Sequence, residues 1–160
     1  MAKLKLRGLE EYEEKLLELR NMSREVIGEA VFEGAAVVAD EVRRNIQALP
    51  VDDRFVRGAD MLYGVSEAQK QGLLDGFGIA PLQDENGYLH VKLGFSGYNS
   101  VRTKNYPNGQ PNAVIARSVN SGTSFRQRIP FVDTAVASAR SQAEDKMKQK
   151  LDDAISEVMN

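Results

Sequence analysis

The chain has 160 residues, a length that suits one domain, with 42% hydrophobic and 28% charged residues. It contains no cysteine and one histidine, His90, which excludes disulfides, cysteine nucleophiles and the two-histidine HExxH metal motif. The net charge of −2 argues against a general nucleic-acid binder. No apolar run predicts a membrane span or a signal peptide, so we expect a protein that stays in the cytoplasm where it is made.

The N-terminal third is predicted to contain a strand followed by two helices. Alternating apolar and polar residues over Lys3–Arg7 predict the strand, and apolar residues at helical spacing predict a first helix over Leu9–Arg20. The segment Asn21–Ser23 is predicted to be a joint, with its serine as the N-cap of a long central helix over Arg24–Ala48. Pro50 then excludes further helix.

A loop and a short helix are predicted next. Residues 53–66 have weak periodicity and contain two glycines and four charged residues, which predicts a variable loop or insert that is mobile or ordered only in an assembly. Ser66 and Gln69 have the spacing of a capping box, which predicts a helix that begins after Ser66 and ends near Asp75.

Two strands follow, and together they predict an antiparallel hairpin. The first is predicted over Gly76–Pro81 and the second over Tyr88–Phe95, where apolar and polar residues alternate. The connection between them contains Asn86-Gly87, the strongest short signal for a hairpin turn. His90 lies in the second strand and is interpreted as a surface or half-buried sheet residue, because no other metal ligands accompany it.

The C-terminal half is predicted to contain a long loop and two helices. Gly, Asn, Ser, Tyr and Pro residues over 96–111 predict the loop, and Pro111 can open a helix over Asn112–Asn120 that Gly122 caps. Pro130 is predicted to start a final helix over 130–158.

The final helix has a continuous apolar stripe but is otherwise strongly polar. Such a helix is expected to project past its own domain, so that a neighbouring chain has to cover Met147, Leu151 and Ile155. The apolar stripe comprises Val132, Val136, Ala139, Ala143, Met147, Leu151, Ile155 and Val158.

Charge is divided unevenly along the chain. Residues 86–132 contain no Asp or Glu, which leaves 15 cations and 23 anions in the remainder. A subunit divided in this way can present a positive surface to the negative surface of another copy, and the alternative is chance together with a solvated loop. The cations of this segment are Lys92, Arg102, Lys104, Arg117, Arg126 and Arg128.

Five motifs follow one another along the chain: Ala35–Ala48, Pro50-Val51-Asp52, Gly72-Leu73-Leu74, Ser121-Gly122-Thr123 and Pro130-Phe131. With them, most of the chain, and best the part from Leu73 onward, resembles the tail-component family of long-tailed bacteriophages, whose members complete the tail and join it to the head. The order and spacing of several motifs carry the resemblance, although each motif is common by itself. Residues 53–67 depart from the family pattern, in which Pro-Val-Asp-Thr-Gly leads directly into a leucine-rich segment.

The resemblance implies an α+β fold in which a small antiparallel sheet is packed by a long central helix, with a long C-terminal helix. It also implies a structural virion protein at the head–tail junction, made in the host cytoplasm. The expected assembly is a ring, usually hexameric, that caps the tail tube and contacts the tail-tube protein and the head–tail connector. Neither catalysis nor a cofactor, metal or membrane is expected.

Cations and aromatic residues are mixed in the second half of the chain. Tyr, Phe and Arg are enriched at protein interfaces, so we predict a contact with a neighbouring subunit or partner. The alternative is contact with duplex DNA through the basic segment 86–132. The predicted interface residues are Tyr98, Arg102, Lys104, Tyr106, Arg117, Phe125, Arg126, Arg128, Met147, Leu151 and Ile155.

Overall fold

The computed structural model describes residues 9–54 and 60–160, so the strand predicted over Lys3–Arg7 lies outside the described residues. The described residues form an α+β fold, which confirms the expected fold class, with four helices and two short antiparallel strand pairs. In chain order the elements are α1 Leu9–Gln47, α2 Glu67–Gly76, β1 Phe77–Ile79, β2 Gln83–Glu85, β3 Tyr88–His90, β4 Leu93–Phe95, α3 Asn112–Ser121 and α4 Phe131–Met159.

The two long helices α1 and α4 pack against each other in antiparallel directions. Asn45 Nδ2 near the end of α1 donates to the carbonyl of Phe131 at the start of α4, at 2.9 Å. At the opposite end, Lys15 Nζ donates to the carbonyl of Met159, at 3.3 Å. A helix of 39 residues is about 58 Å long and one of 29 residues about 43 Å. α4 therefore lies along most of α1.

The predicted joint at Asn21–Ser23 is wrong, because α1 continues through it without a break. Ser23 Oγ donates to the carbonyl of Arg20, at 2.7 Å, so the serine hydroxyl is satisfied within the helix rather than acting as an N-cap. Asn and Ser have only moderate helix propensities, and packing against α4 outweighs that local preference.

The core lies where the C-terminal part of α1 meets α2, α3, β1 and the start of α4. We call this region the head, and we call residues 9–37 together with 140–159 the stalk. Among the described residues, neither long helix has the apolar run that a bilayer-spanning helix requires. The core residues are Ala39, Val42, Ile46, Leu49, Val65, Leu73, Phe77, Ile115, Ala116, Val119, Phe131 and Ala135.

The strands form one interrupted hairpin. β1 pairs with β4 and β2 pairs with β3, and the Ala80 N–H donates to the Lys92 carbonyl at 2.8 Å between the two pairs. The single strand predicted over Tyr88–Phe95 is therefore wrong. Pro81 explains the break, because proline has no N–H to donate to a ladder. The turn prediction is confirmed, since Asn86 and Gly87 both have positive φ, 55° and 88°.

The sequence signals that predicted where the other three helices start or end are confirmed. Gln69 N donates to Ser66 Oγ at 3.2 Å and Ser66 N donates to Gln69 Oε1 at 3.0 Å, which completes the capping box of α2. α3 follows Pro111, and Gly122, with φ of 76°, ends it. α4 starts directly after Pro130.

The buried side of α4 differs from the predicted stripe. Ala135 is fully buried in the core, whereas Val136 is 46% exposed, because the helix turns its small alanines towards α1. Met147 and Leu151 are half-buried, so α1 of the same chain covers much of the apolar surface that was expected to need a neighbour. Ile155 remains 44% exposed.

Candidate functional site

Two carboxylates, those of Asp53 and Asp84, accept hydrogen bonds from backbone N–H groups. Asp53 Oδ1 accepts the Glu67 N–H at 3.0 Å, and Asp84 Oδ1 accepts the Gly87 N–H at 2.8 Å. His90 is half-buried and stacks on Tyr88, with ring centroids 5.7 Å apart. Residues 9–54 and 60–160 contain no group of three or more His, Asp or Glu side chains arranged to hold a metal ion.

Asp52 organises the segment around the predicted insert. Its Oδ1 accepts Arg54 Nε at 2.8 Å, and its Oδ2 accepts Arg54 Nη2 at 2.7 Å and the Tyr63 N–H at 2.9 Å. These hydrogen bonds, that of the Arg54 side chain first, hold the pKa of Asp52 well below its usual range. The described part of the 53–66 loop is thus held by hydrogen bonds to Asp52, which follows α1.

Arg126 also contacts the described part of the 53–66 loop. The Leu62 N–H donates to the Phe125 carbonyl at 2.8 Å, and the Gln127 N–H donates to the Leu62 carbonyl at 2.9 Å, so the two segments pair. The Arg126 guanidinium donates to the Gly64 carbonyl, and only 3% of the residue is exposed. Burial lowers its pKa. The expectation that Arg126 contacts a partner is therefore not met, because its side chain lies inside the molecule.

Residues 97–111, which we call the basic loop, are held in a defined conformation. Asn99 Oδ1 accepts the N–H groups of Val101 at 2.9 Å and Gln110 at 3.2 Å. The Asn99 N–H donates to the Gln110 carbonyl, at 2.9 Å. Gly109 has φ of 114°, and a Cβ atom there would lie 2.2 Å from the Asn99 carbonyl oxygen. The loop closes on itself through Asn99 and requires glycine at position 109.

The basic loop presents an aromatic residue and two cations. Tyr98 is 70% exposed, and Tyr106 is half-buried. Arg102 and Lys104 are exposed, and neither has a salt-bridge partner within the described part of the chain. These side chains are available to another molecule.

Other predicted interface residues lie on the head outside the basic loop. Arg117 is exposed on α3, and Phe125 is 49% exposed. Arg128 is already engaged, because its Nη2 lies 3.5 Å from Asp133 Oδ2 and its Nε donates to the Asn120 carbonyl at 3.2 Å.

A second surface lies along the stalk, between α1, α4 and the hairpin, and we call it the stalk groove. It consists of two adjoining depressions of about 570 and 320 Å³, which share Glu25, Glu29 and Lys150. Phe32 is 45% and Leu82 is 40% exposed in its lining. The other lining residues are Met22, Val26, Gly28, Glu33, Asp153, Ala154 and Glu157.

The lining of the stalk groove is acidic. It contains five carboxylates and one cation, Lys150, whose Nζ lies 3.2 Å from Glu29 Oε2 and 3.9 Å from Glu33 Oε1. The hydrogen bond to Glu29 raises the pKa of Lys150. Glu25, Asp153 and Glu157 have no salt-bridge partner among the residues the structure describes.

Sequence reasoning did not find the stalk groove, because three distant segments form it. The available signal was Glu25, Glu29 and Glu33, whose four-residue spacing places three carboxylates on one face of a helix. The acidic character extends along the stalk, where residues 9–37 and 140–159 hold 13 Asp and Glu against seven Lys and Arg.

Comparison with protein-family models, curated proteins and solved structures found no match to this chain. The resemblance to phage tail components therefore depends on motif order alone. The basic loop and the stalk groove are the two surfaces of the molecule whose geometry bears on its function.

Proposed function

We propose that this chain is a non-enzymatic structural subunit of a long-tailed bacteriophage, which completes the tail and joins it to the head. In this role it acts as one subunit of a ring at the head–tail junction of the virion. Its partners are further copies of itself, the tail-tube protein and the head–tail connector.

The observation that carries the proposal is the separation of charge between two surfaces of one subunit. The stalk has an excess of carboxylates, whereas the exposed cations Arg102, Lys104 and Arg117 lie on the head. Opposite charges on different surfaces favour contact between unlike faces of neighbouring copies, since complementary potentials steer association and fix its register. Contacts of this heterologous kind generate a closed ring when the rotation between copies closes.

The order of motifs supports the specific location. Pro50-Val51-Asp52 follows α1, Ser121-Gly122-Thr123 stands at the end of α3, and Pro130-Phe131 opens α4, in the order that the tail-component resemblance implies. The number of copies, six, comes from that resemblance alone.

A nonsense mutation in the corresponding phage gene tests the proposal. Electron microscopy of the lysate is expected to show DNA-filled heads and full-length tails that are not joined. Addition of the purified wild-type chain is expected to restore joined, infectious particles. Normal joined particles in the absence of the chain would exclude the function.

The second candidate is a duplex-DNA-binding module, which exposed cations of segment 86–132 favour. Lys92, Arg102, Lys104 and Arg117 are exposed on that segment, whereas Arg126 is buried. A DNA binder of this kind is expected to lose affinity steeply as salt rises, because phosphate contacts release counterions. A titration of fluorescent duplex DNA at several salt concentrations distinguishes it from the ring subunit, for which we expect no binding of this type.

A further inference from the structure

We propose that the stalk groove is the docking site for the basic loop of a second copy of this chain. The inference rests on the proposed function, because it specifies how one subunit of the ring contacts the next. The partner is identified by its chemistry, a loop that carries an exposed tyrosine and two exposed cations without a salt-bridge partner in the described part of the chain.

The apolar part of the groove suits the aromatic residue. Phe32 and Leu82 are both about half exposed and line the depression of about 570 Å³ together with Gly28, which has no side chain. The basic loop offers one large exposed hydrophobic side chain to such a patch, that of Tyr98, which is 70% exposed. An aromatic side chain that covers such a patch buries a large area and keeps its hydroxyl near polar groups.

The charges of the two surfaces are complementary. Lys150 already pairs with Glu29 and Glu33, so the carboxylates without a salt-bridge partner among the described residues are those of Glu25, Asp153 and Glu157. The basic loop supplies the opposite sign through two exposed cations, Arg102 and Lys104. Docking therefore places cations next to carboxylates that have no salt-bridge partner among residues 9–54 and 60–160 of their own subunit.

The conformation of the basic loop lowers the entropic cost of docking. The hydrogen bonds around Asn99 and Gln110 fix the loop before any partner binds. A segment that is ordered in advance loses little conformational freedom on association.

The contact has to join two molecules. Within one subunit the basic loop is fastened to α2 and α3, where Gln69 Nε2 donates to Gln110 Oε1 at 2.9 Å and the Asn112 N–H donates to the Gly97 carbonyl at 3.0 Å. The groove belongs to α1, α4 and the hairpin. A loop inserted into the groove of the next copy leaves the loop of that copy available, so the contact repeats around a ring.

Disulfide crosslinking tests the contact directly, because the chain has no cysteine of its own. A Tyr98→Cys protein is mixed with a Leu82→Cys protein, oxidised briefly, and separated on a non-reducing gel, both in concentrated solution and in phage particles assembled from the two variants. A crosslinked dimer is expected, with a yield at least about tenfold above that of a Tyr98→Cys and Leu16→Cys mixture. Leu16 is exposed on the stalk but does not line the groove.

Charge reversal provides a second test with the same readout. The loop-reversed protein carries Arg102→Glu and Lys104→Glu, and the groove-reversed protein carries Glu25→Lys and Glu157→Lys. We expect either reversal, tested against an unreversed partner, to reduce crosslinking by more than about tenfold, because like charges then face each other. Combining a reversed loop with a reversed groove is expected to restore it.

The matched control reverses two stalk carboxylates that do not line the groove, Glu11→Lys and Asp145→Lys, and is expected to crosslink as efficiently as the unreversed proteins. Loop–groove crosslinking no higher than the Leu16→Cys control, in solution and in particles, would overturn the docking site. Self-crosslinking of Leu16→Cys alone would instead indicate pairing of two stalks and would also overturn it. The proposed function is judged separately, by whether heads and tails join without the chain.

Discussion

Gly34 of α1 lies directly against Met147 of α4, so that a Cβ atom at position 34 would be 2.6 Å from Met147 Cγ. The absence of a side chain at position 34 lets the two helices approach closely in the middle of the stalk. Because Met147 is unbranched and flexible, it fills the space that the glycine leaves.

Replacement of Gly34 by leucine is expected to destabilise the chain by about 1–3 kcal/mol, because the added side chain overpacks the contact with Met147. The double variant Gly34→Leu/Met147→Ala is expected to recover part of that loss, since the shorter side chain makes room. Urea denaturation measures both. Ala137→Leu, on the exposed side of α4, is the control and is expected to change the stability little. A stable Gly34→Leu protein would show that the helices do not pack closely at this point.

The Asp52 network is expected to make stability depend on pH in the acid range. The pKa of Asp52 is depressed in the folded chain, so its contribution is fully present above the ordinary carboxyl pKa near 4 and is lost as the pH falls through the folded value. Asp52→Asn should therefore lower the melting temperature at pH 7, and the difference from wild type should narrow below about pH 4.

Thermal unfolding followed by circular dichroism between pH 7 and pH 2.5 measures this difference. Asp145→Asn removes an exposed carboxylate of the stalk and is expected to leave the melting temperature nearly unchanged at pH 7. A difference for Asp52→Asn that stays constant down to pH 2.5 would contradict the role of the ionised carboxylate.

Arg126 and Arg128 are expected to respond differently to substitution. Arg126→Ala should destabilise the chain by about 1.5–3 kcal/mol, because it removes a buried charged donor from the Gly64 carbonyl and leaves a gap. Arg128→Ala removes an exposed pair with Asp133 and should change the stability by about 0–1 kcal/mol. Urea denaturation of the two variants compares them. Equal effects would mean that Arg126 is not a structural residue.

The conformation of the basic loop is expected to depend on glycine at position 109 more than at position 97. Gly109→Ala introduces a Cβ atom against the Asn99 carbonyl and should raise amide hydrogen exchange across residues 97–111. Gly97 also has positive φ, 72°, but the nearest atom to a Cβ there is 3.8 Å away, so Gly97→Ala should cost only about 1–2 kcal/mol from backbone strain. Unchanged exchange in Gly109→Ala would show that the loop is not closed through Asn99.

Local signals in the sequence predicted much of the fold. The Ser66–Gln69 capping box, the Asn86-Gly87 turn and the start of α4 after Pro130 each depend on residues that are neighbours in the chain. The continuity of α1 through residues 21–23 and the rotation of α4 towards Ala135 depend on contacts between the two helices. These contacts join residues 86 to 144 positions apart where hydrogen bonds mark them, and periodicity alone does not contain them.

The same contrast between local signals and long-range contacts holds for the two candidate surfaces. Composition identified the cations of the basic loop, because their exposure follows from a polar, glycine-rich segment. It could not separate buried Arg126 from the exposed cations, since the burial arises from pairing with Leu62 across a long loop. The stalk groove was missed because Leu82 meets Gly28 only after the hairpin folds onto α1.

The stalk groove is built from residues 22–33 of α1, from Leu82 and from residues 150–157 of α4. The part that α4 contributes is therefore synthesised long after the part that α1 contributes. During translation, the basic loop is therefore made before the groove that would accept the loop of another copy is complete. In the proposed assembly, a chain that lacks α4 can dock its basic loop on a finished subunit but cannot receive the loop of the next one, so a truncated product would terminate a growing ring rather than extend it.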